Sequence, residues 1–208
     1  MSFFENTRKP VGLGGKIMVA MMNLGHSPVA QWGLQFLNVA PDAKVLDCGC
    51  GGGANMKRLL KKCPQGMVKG IDYSPVSVEK SKKVNEAAIA EGRCTVLQGS
   101  VADMIFAGDW FDAVTAFETV YFWPDLPRCF REVFRVLRPG GTFCGCFYVM
   151  GEHKRTDWFV RRVYEKTGFF TPPYETASSL KARLDGMYAD VDMENLKSMA
   201  WFVCRKAG

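Results

Sequence analysis

The sequence predicts an α/β fold in which a mostly parallel sheet finishes in an antiparallel hairpin, and three observations predict it. From Lys44 onward, short apolar runs alternate with amphipathic helices, the mark of βαβ units. The run Lys44 to Asp47 passes directly into a glycine-rich turn and then into a helix at Ala54. Near the end, the apolar segments Asp190 to Leu196 and Met199 to Cys204 have no crossover-length helix between them, so they read as a hairpin.

Taken in order, residues 1 to 40 read as an irregular Gly-rich start, an apolar helix near Lys16 to Leu24, and a second helix after Ser27-Pro28. There Ser27 caps and Pro28 takes the first turn. Strands are expected at Lys44 to Cys48, Gly66 to Ile71, Cys94 to Gln98, Phe111 to Ala116 and Gly141 to Val149. Helices fall between them near Ala54 to Lys62, Pro75 to Ala90 and Leu126 to Leu137, the last closed by Arg138-Pro139-Gly140-Gly141. A helix at Thr156 to Thr167, a loop at Thr171 to Tyr174 and a helix at Thr176 to Gly186 precede the hairpin. Neither repeats nor low-complexity linkers divide the chain. One domain over 1–208 is therefore expected, with 1–40 a helical lid, 41–150 a ligand-binding core and 151–208 the closing helices and hairpin.

Composition narrows the function classes. At 208 residues and 48% apolar, the chain can bury one substantial core. Its longest apolar stretches stop short of the roughly 20 residues a membrane helix requires. Lys16 interrupts the first of them, which breaks the order of a secretory signal, so a cytoplasmic protein is expected. Cys48, Cys50, Cys63, Cys94, Cys129, Cys144, Cys146 and Cys204 lie largely inside apolar runs and read as reduced, buried thiols. Neither Cys48/Cys50 nor Cys144/Cys146 has the two-residue gap of a zinc knuckle, and no metal is expected. The net charge of +6 is scattered. Its richest stretch, Lys154 to Arg183, is punctuated by Asp157, Glu165 and Glu175 and reads as a solvated helix face instead of a nucleic-acid surface.

The chemistry concentrates at Cys48-Gly49-Cys50-Gly51-Gly52-Gly53. Glycine permits positive φ, and without a Cβ it lets a ligand lie against backbone where a helix presents free N–H groups. Such a turn suits a ligand carrying a carboxylate and a ribose. Asp72 closes the next strand in Gly70-Ile71-Asp72-Tyr73-Ser74, where a carboxylate can accept both hydroxyls of a ribose seated over the first strand. A glycine turn alone is weak evidence. Placed strand-to-helix between Asp47 and Asp72, it predicts nucleoside binding.

As an ordered set these residues resemble the class I S-adenosylmethionine-dependent methyltransferases. Val45-Leu46-Asp47-Cys48-Gly49-Cys50-Gly51-Gly52-Gly53 is similar to their first motif, with the acid two residues before the first glycine. Gly70 to Ser74, the strand Phe111-Asp112-Ala113-Val114 and Arg135-Val136-Leu137-Arg138-Pro139-Gly140-Gly141-Thr142 extend the likeness over about residues 40–150, most closely to the ubiquinone/menaquinone-biosynthesis type, called type 11. The resemblance implies a Rossmann-like, doubly wound sheet of seven strands in the order 3-2-1-4-5-7-6, with helices on both faces. It implies S-adenosyl-L-methionine as cofactor, S-adenosyl-L-homocysteine as product and a small-molecule acceptor. Asp47, Cys48, Gly49, Gly51 and Gly53 would surround the methionine part and ribose. Asp72 would hold the ribose hydroxyls, with Tyr73 against the adenine and Ser74 beside it. Ser100 and Val101 stand where the family commonly has an acid for the adenine amino group, which leaves Ser100 and Asp103 as alternatives for that contact. Phe117 would meet the methionine chain.

Methyl transfer from a sulfonium is an in-line displacement, so alignment and exclusion of water supply most of the help, roughly 7–11 kcal/mol of barrier. A base is needed only if the acceptor must lose a proton during attack. The segment Phe117 to Pro124 follows the fourth strand at the edge where ligands bind in such sheets, and is the expected acceptor wall. Within it Glu118 is the candidate base or polar anchor and Tyr121 a second acceptor-side candidate. His153 follows the fifth strand, and Met18, Met21 and Met22 would line a lid, although core packing competes for those methionines. Thr171-Pro172-Pro173-Tyr174 resembles a motif of nucleic-acid amino methyltransferases, but it follows the fifth strand where that motif follows the fourth, which favours a small acceptor. A nicotinamide-dependent oxidoreductase and a non-catalytic nucleoside-binding module are the competing readings.

Overall fold

The computed structural model describes residues 27–148, 158, 177–196 and 199–208. The apolar helix expected near Lys16 to Leu24, all but Trp158 of the helix at Thr156 to Thr167, the loop at Thr171 to Tyr174, and both His26 and His153 lie outside the described residues. So do Met18, Met21 and Met22.

Helix α1 spans Ser27–Gly33, starting at the expected Ser-Pro pair. Then follow β1 (Lys44–Cys48), α2 (Ala54–Lys62), β2 (Met67–Asp72), α3 (Pro75–Val84), α4 (Glu86–Ala90), β3 (Cys94–Gln98) and β4 (Phe111–Phe117). A single 3-10 turn at Val120–Phe122 leads to α5 (Leu126–Val136), β5 (Leu137–Tyr148), α6 (Ala177–Asp185), β6 (Asp190–Leu196) and β7 (Met199–Arg205). The strands form one sheet in the order β3-β2-β1-β4-β5-β7-β6. Pairings among β1 to β5 are parallel, whereas β7 runs antiparallel to both β5 and β6.

Alternation along the strands sends side chains to two cores. Leu46, Val114, Phe143 and Phe202 point to the face covered by Cys129, Phe130 and Val133 of α5 and Leu180 and Leu184 of α6. Val45, Val68, Val96 and Ala113 point to the other, covered by Met56 and Leu59 of α2 and Val78 of α3. Helices thus lie on both faces, as a doubly wound sheet requires. Phe130 and Phe202 are fully buried, each contributing roughly 1.5–3 kcal/mol. Gly145 makes room for the second of these, since a Cβ there would stand 2.4 Å from Phe202 Cζ. All eight cysteines are buried and none forms a disulfide.

Two expected boundaries are corrected. The helix read as Pro75 to Ala90 is two, because Asn85 (φ −112°, ψ 19°) leaves the helical region. Its side chain accounts for the break: Asn85 Nδ2 donates to Gly53 O at 3.1 Å and to Ser81 O at 2.9 Å. The Arg138-Pro139-Gly140-Gly141 turn does not separate helix from strand. It sits within β5, because Leu137 is already opposite Phe111 while the next pairing is Ala113 with Thr142, so the intervening residues bulge outward. Gly140 takes φ 71°, and Arg138 Nε meets Asp112 Oδ1 at 2.6 Å. Lys206 seals the same end of the sheet, its ammonium donating to Asp109 Oδ1, Phe134 O and Leu137 O. Among the described residues no helix is long and apolar enough to cross a membrane.

Candidate functional site

The carboxyl ends of β1, β2, β3 and β4 converge on one edge of the sheet. At the end of β1 the chain turns through Gly49, Gly51 and Gly53, all at positive φ (73°, 51° and 82°). Gly49 N–H and Cys50 N–H donate to Ile71 O at 2.8 and 3.2 Å, which binds the turn to β2. Gly49 is required by space as well as by φ, since a Cβ there would fall 2.0 Å from Thr119 Oγ1. At Gly51 the equivalent direction is open, with nothing within 4 Å. Gly53 precedes α2, whose first turn has no side-chain cap, so its leading N–H groups face the same edge.

Asp72 stands across from the turn. Its Oδ2 accepts from Gly51 N–H at 2.9 Å and its Oδ1 from Ser74 N–H at 2.9 Å. Each oxygen keeps a further lone pair. Burial raises the Asp72 carboxyl above its ordinary range, and the Ser74 and Gly51 N–H groups pull it back. Ser74 also caps α3 by accepting from Ser77 N–H.

Asp47 is almost wholly buried, with Oδ1 accepting from Thr115 Oγ1 at 2.7 Å. Its Oδ2 is shielded from solvent and has no hydrogen-bond partner among the described residues. Burial pushes this carboxyl up to about 7, against the Thr115 hydrogen bond that lowers it, with the charge of Asp72 adding to the rise. Thr115 was not singled out from the sequence. It pairs with Asp47 in the β1–β4 register, and a polar residue inside the apolar run of β4 was the available signal.

The remaining candidates fall around this pair. Cys48 is buried in one core and Cys50 in the other. Tyr73 is 37% exposed directly after β2. Ser100 and Val101 follow β3, whose last residue Gln98 lies opposite Asp72. Gln98 Nε2 donates to Tyr73 O, tying the two strand ends together. Phe117 is buried under α1, close enough that a Cβ on Gly33 would meet its ring at 2.8 Å. Glu118 is held at φ 56°, its N–H donating to Cys146 O at 2.7 Å, and its Oε1 is shielded from solvent. Tyr121 lies in the 3-10 turn, and its side chain is outside the described part. The expected acceptor wall divides: Val120 and Trp123 turn into the core, Trp123 against Phe130 at 5.6 Å.

These features fit a nucleoside carrying an amino acid tail. Asp72 has acceptor capacity for a diol, the orphaned Asp47 Oδ2 awaits a donor such as an ammonium, and the open direction at Gly51 allows close approach. The sheet order and terminal antiparallel strand separate the fold from a dinucleotide fold, whose sixth strand arrives by a helical crossover. Sheet order and site are together similar to those of class I S-adenosylmethionine-dependent methyltransferases.

Residues 46–145 match the family model described as Methyltransferase domain. The chain is 32% identical over 117 residues to cycloartenol-C-24-methyltransferase 1 of Oryza sativa subsp. japonica, covering 56% of this chain and 34% of that protein. This chain therefore spans about a third of that relative's length. Among solved structures, a Haloferax volcanii methyltransferase in complex with the activator Trm112 superposes with a TM-score of 0.80 at 16% identity, covering 100% of this chain and 98% of that one. Phosphoethanolamine N-methyltransferase 2 of Haemonchus contortus, solved with phosphomonomethylethanolamine and S-adenosylhomocysteine, gives 0.79 at 12% identity, over 100% of this chain and 61% of that one. At these identities the superpositions speak for the fold.

Proposed function

We propose that this chain transfers a methyl group from S-adenosylmethionine to a small, largely apolar organic acceptor. The observation that carries the donor half is the Asp72 carboxylate, buried yet with acceptor capacity left on both oxygens, facing a glycine turn with an open direction at Gly51. The apolar character of the acceptor rests on Phe117 and the neighbouring α1 surface, and on sterol C-methyltransferases being among the relatives. We read 1–208 as one catalytic unit, since α1 packs against β5 and the β6–β7 hairpin extends the same sheet.

In this reading Asp72 accepts the ribose hydroxyls, Tyr73 and Ser74 flank the adenine with Ser100 and Val101 opposite, and Gly49, Gly51 and Gly53 let the tail pass close to the backbone. Asp47 Oδ2 takes the tail's ammonium, while Cys48 and Phe117 close the apolar floor. When bound, the donor supplies an electrophilic methyl on a sulfonium. The protein's own work is positional: Phe117 and α1 exclude water, and the Thr115 hydroxyl fixes the Asp47 carboxylate. Glu118, held in a backbone conformation that costs on the order of 1 kcal/mol for a non-glycine residue, orients the acceptor or takes its proton. Tyr121 is the second acceptor-side residue in this scheme.

Calorimetric titration with S-adenosylhomocysteine, with NAD as control, tests the donor half. Turnover to S-adenosylhomocysteine on sterol and isoprenoid olefins, small amines and oligonucleotides tests the acceptor. Tight NAD binding in place of S-adenosylhomocysteine, or turnover confined to oligonucleotides, would overturn the proposal.

A further inference from the structure

We propose that Arg135 and Glu132, in the second half of α5, are positioning residues for the adenine end of the donor site. They would act by gripping the segment 100–106 whose first residues form the adenine wall. The inference rests on the donor-site assignment above.

The segment leaves β3 at Gly99, whose N–H donates to Asp72 O at 3.0 Å. It turns at once: Ser100 bridges to Asp103, Asp103 N–H donates to Ser100 O at 3.2 Å, and Ala102 N–H donates to Ser100 Oγ at 3.2 Å. One end of the wall is therefore fixed by β2 and by its own turn. The other end, from Met104 to Phe106, belongs to no strand, and its backbone groups turn to α5.

There the Arg135 guanidinium donates through Nη2 to Met104 O at 2.9 Å and through Nη1 to Phe106 O at 2.8 Å. Its Nε and Nη2 also donate to the two oxygens of Glu132 at 2.7 and 2.8 Å. Glu132 Oε2 in turn accepts from Met104 N–H at 2.9 Å. The pair thus holds both polar backbone groups of Met104 and the carbonyl two residues on. Every bond is charge-assisted, and the planar guanidinium fixes the direction of two carbonyls at once. The Arg135 hydrogen bond holds the Glu132 carboxyl below its ordinary range.

Position does the rest. The residues so held begin three positions after Val101, and β3 ends just before Ser100, with Gln98 opposite Asp72. A slot for a flat base between the strand ends has one wall fixed by Asp72 and the other by Arg135 with Glu132.

The test is titration of the full chain with S-adenosylhomocysteine and with S-inosylhomocysteine, which differ only in the base. The wild type should prefer the adenosyl ligand. Arg135→Gln should weaken that ligand by about tenfold and the inosyl ligand much less, so that discrimination collapses, with Arg135→Lys restoring part of it. Lys206→Met, which loosens the opposite end of the sheet, should lower thermal stability while leaving discrimination intact. Discrimination within about twofold of wild type in a folded Arg135→Gln protein overturns the proposal. Should that variant not fold, Glu132→Gln is read in the same way. A wild type that binds neither ligand refutes the donor site itself, which is a different outcome from unaltered discrimination.

Discussion

Gly51 and Asp72, 21 residues apart, are joined by a 2.9 Å hydrogen bond from the glycine N–H to the aspartate Oδ2. The acid expected to serve only as a ligand also braces the turn opposite it, and its other oxygen holds Ser74 N–H. Asp72→Ala should therefore abolish measurable S-adenosylhomocysteine binding and also cost about 1–3 kcal/mol of stability, because two backbone donors lose their acceptor. Titration and urea denaturation of the same preparation check both halves. A normal melt with lost binding would mean that the brace contributes nothing, and near-normal binding would contradict the ligand role.

Asp47 gives the site a pH signature. Its folded-state carboxyl lies at about 7, above the ordinary 3.8, so the folded state holds a proton that the unfolded chain releases. Stability from this group is fully present below pH ~4, is lost as pH climbs through about 7, and stays lost above. Asp47→Asn should accordingly be more stable than wild type at pH 8 and nearly equal to it at pH 4. It should also bind S-adenosylhomocysteine poorly. Denaturation midpoints of the two proteins that run parallel across this range would refute the assignment.

Gly49→Ala tests the turn's packing. The new methyl would meet the Thr119 hydroxyl, and φ 73° is unfavourable for any residue with a Cβ. A loss of about 3 kcal/mol is expected, read by chemical denaturation. The same change at Gly51, where the space is open, should cost mainly the conformational part, about 1–2 kcal/mol, while blocking the ligand.

Glu118→Gln separates donor from acceptor chemistry. If Glu118 handles the acceptor's proton, kcat should fall by about 10²-fold or more with S-adenosylhomocysteine affinity unchanged. An equal fall in affinity would move Glu118 to the donor side.

The strands and the glycine turn were legible because their signals are local: apolar runs, a Gly cluster, an acid at each strand end. β1 and β3 fall where alternation put them, β2 is shifted by one residue at both ends, and β4 runs one residue further. What escaped was set by contacts between distant residues. Asn85 breaks a helix of continuous pattern because its amide holds a carbonyl 32 positions earlier. The Pro-Gly-Gly segment reads as a stop signal, yet pairing of Leu137 with Phe111 draws it into a strand. Thr115, Thr119 and the Arg135–Glu132 pair are ordinary residues in sequence, made notable only by what the sheet brings beside them.

The sheet order also sets a schedule for synthesis. β5 sits in the interior, yet the neighbour on its outer flank is β7, more than fifty positions downstream. A ribosome-tethered chain that has emitted β1 to β5 thus displays a bare ribbon of amides and carbonyls, with Phe143 and Phe147 uncovered on that side. Translation pauses before residue 199 should accordingly invite clumping, and holdase chaperones should engage this polypeptide until its hairpin arrives.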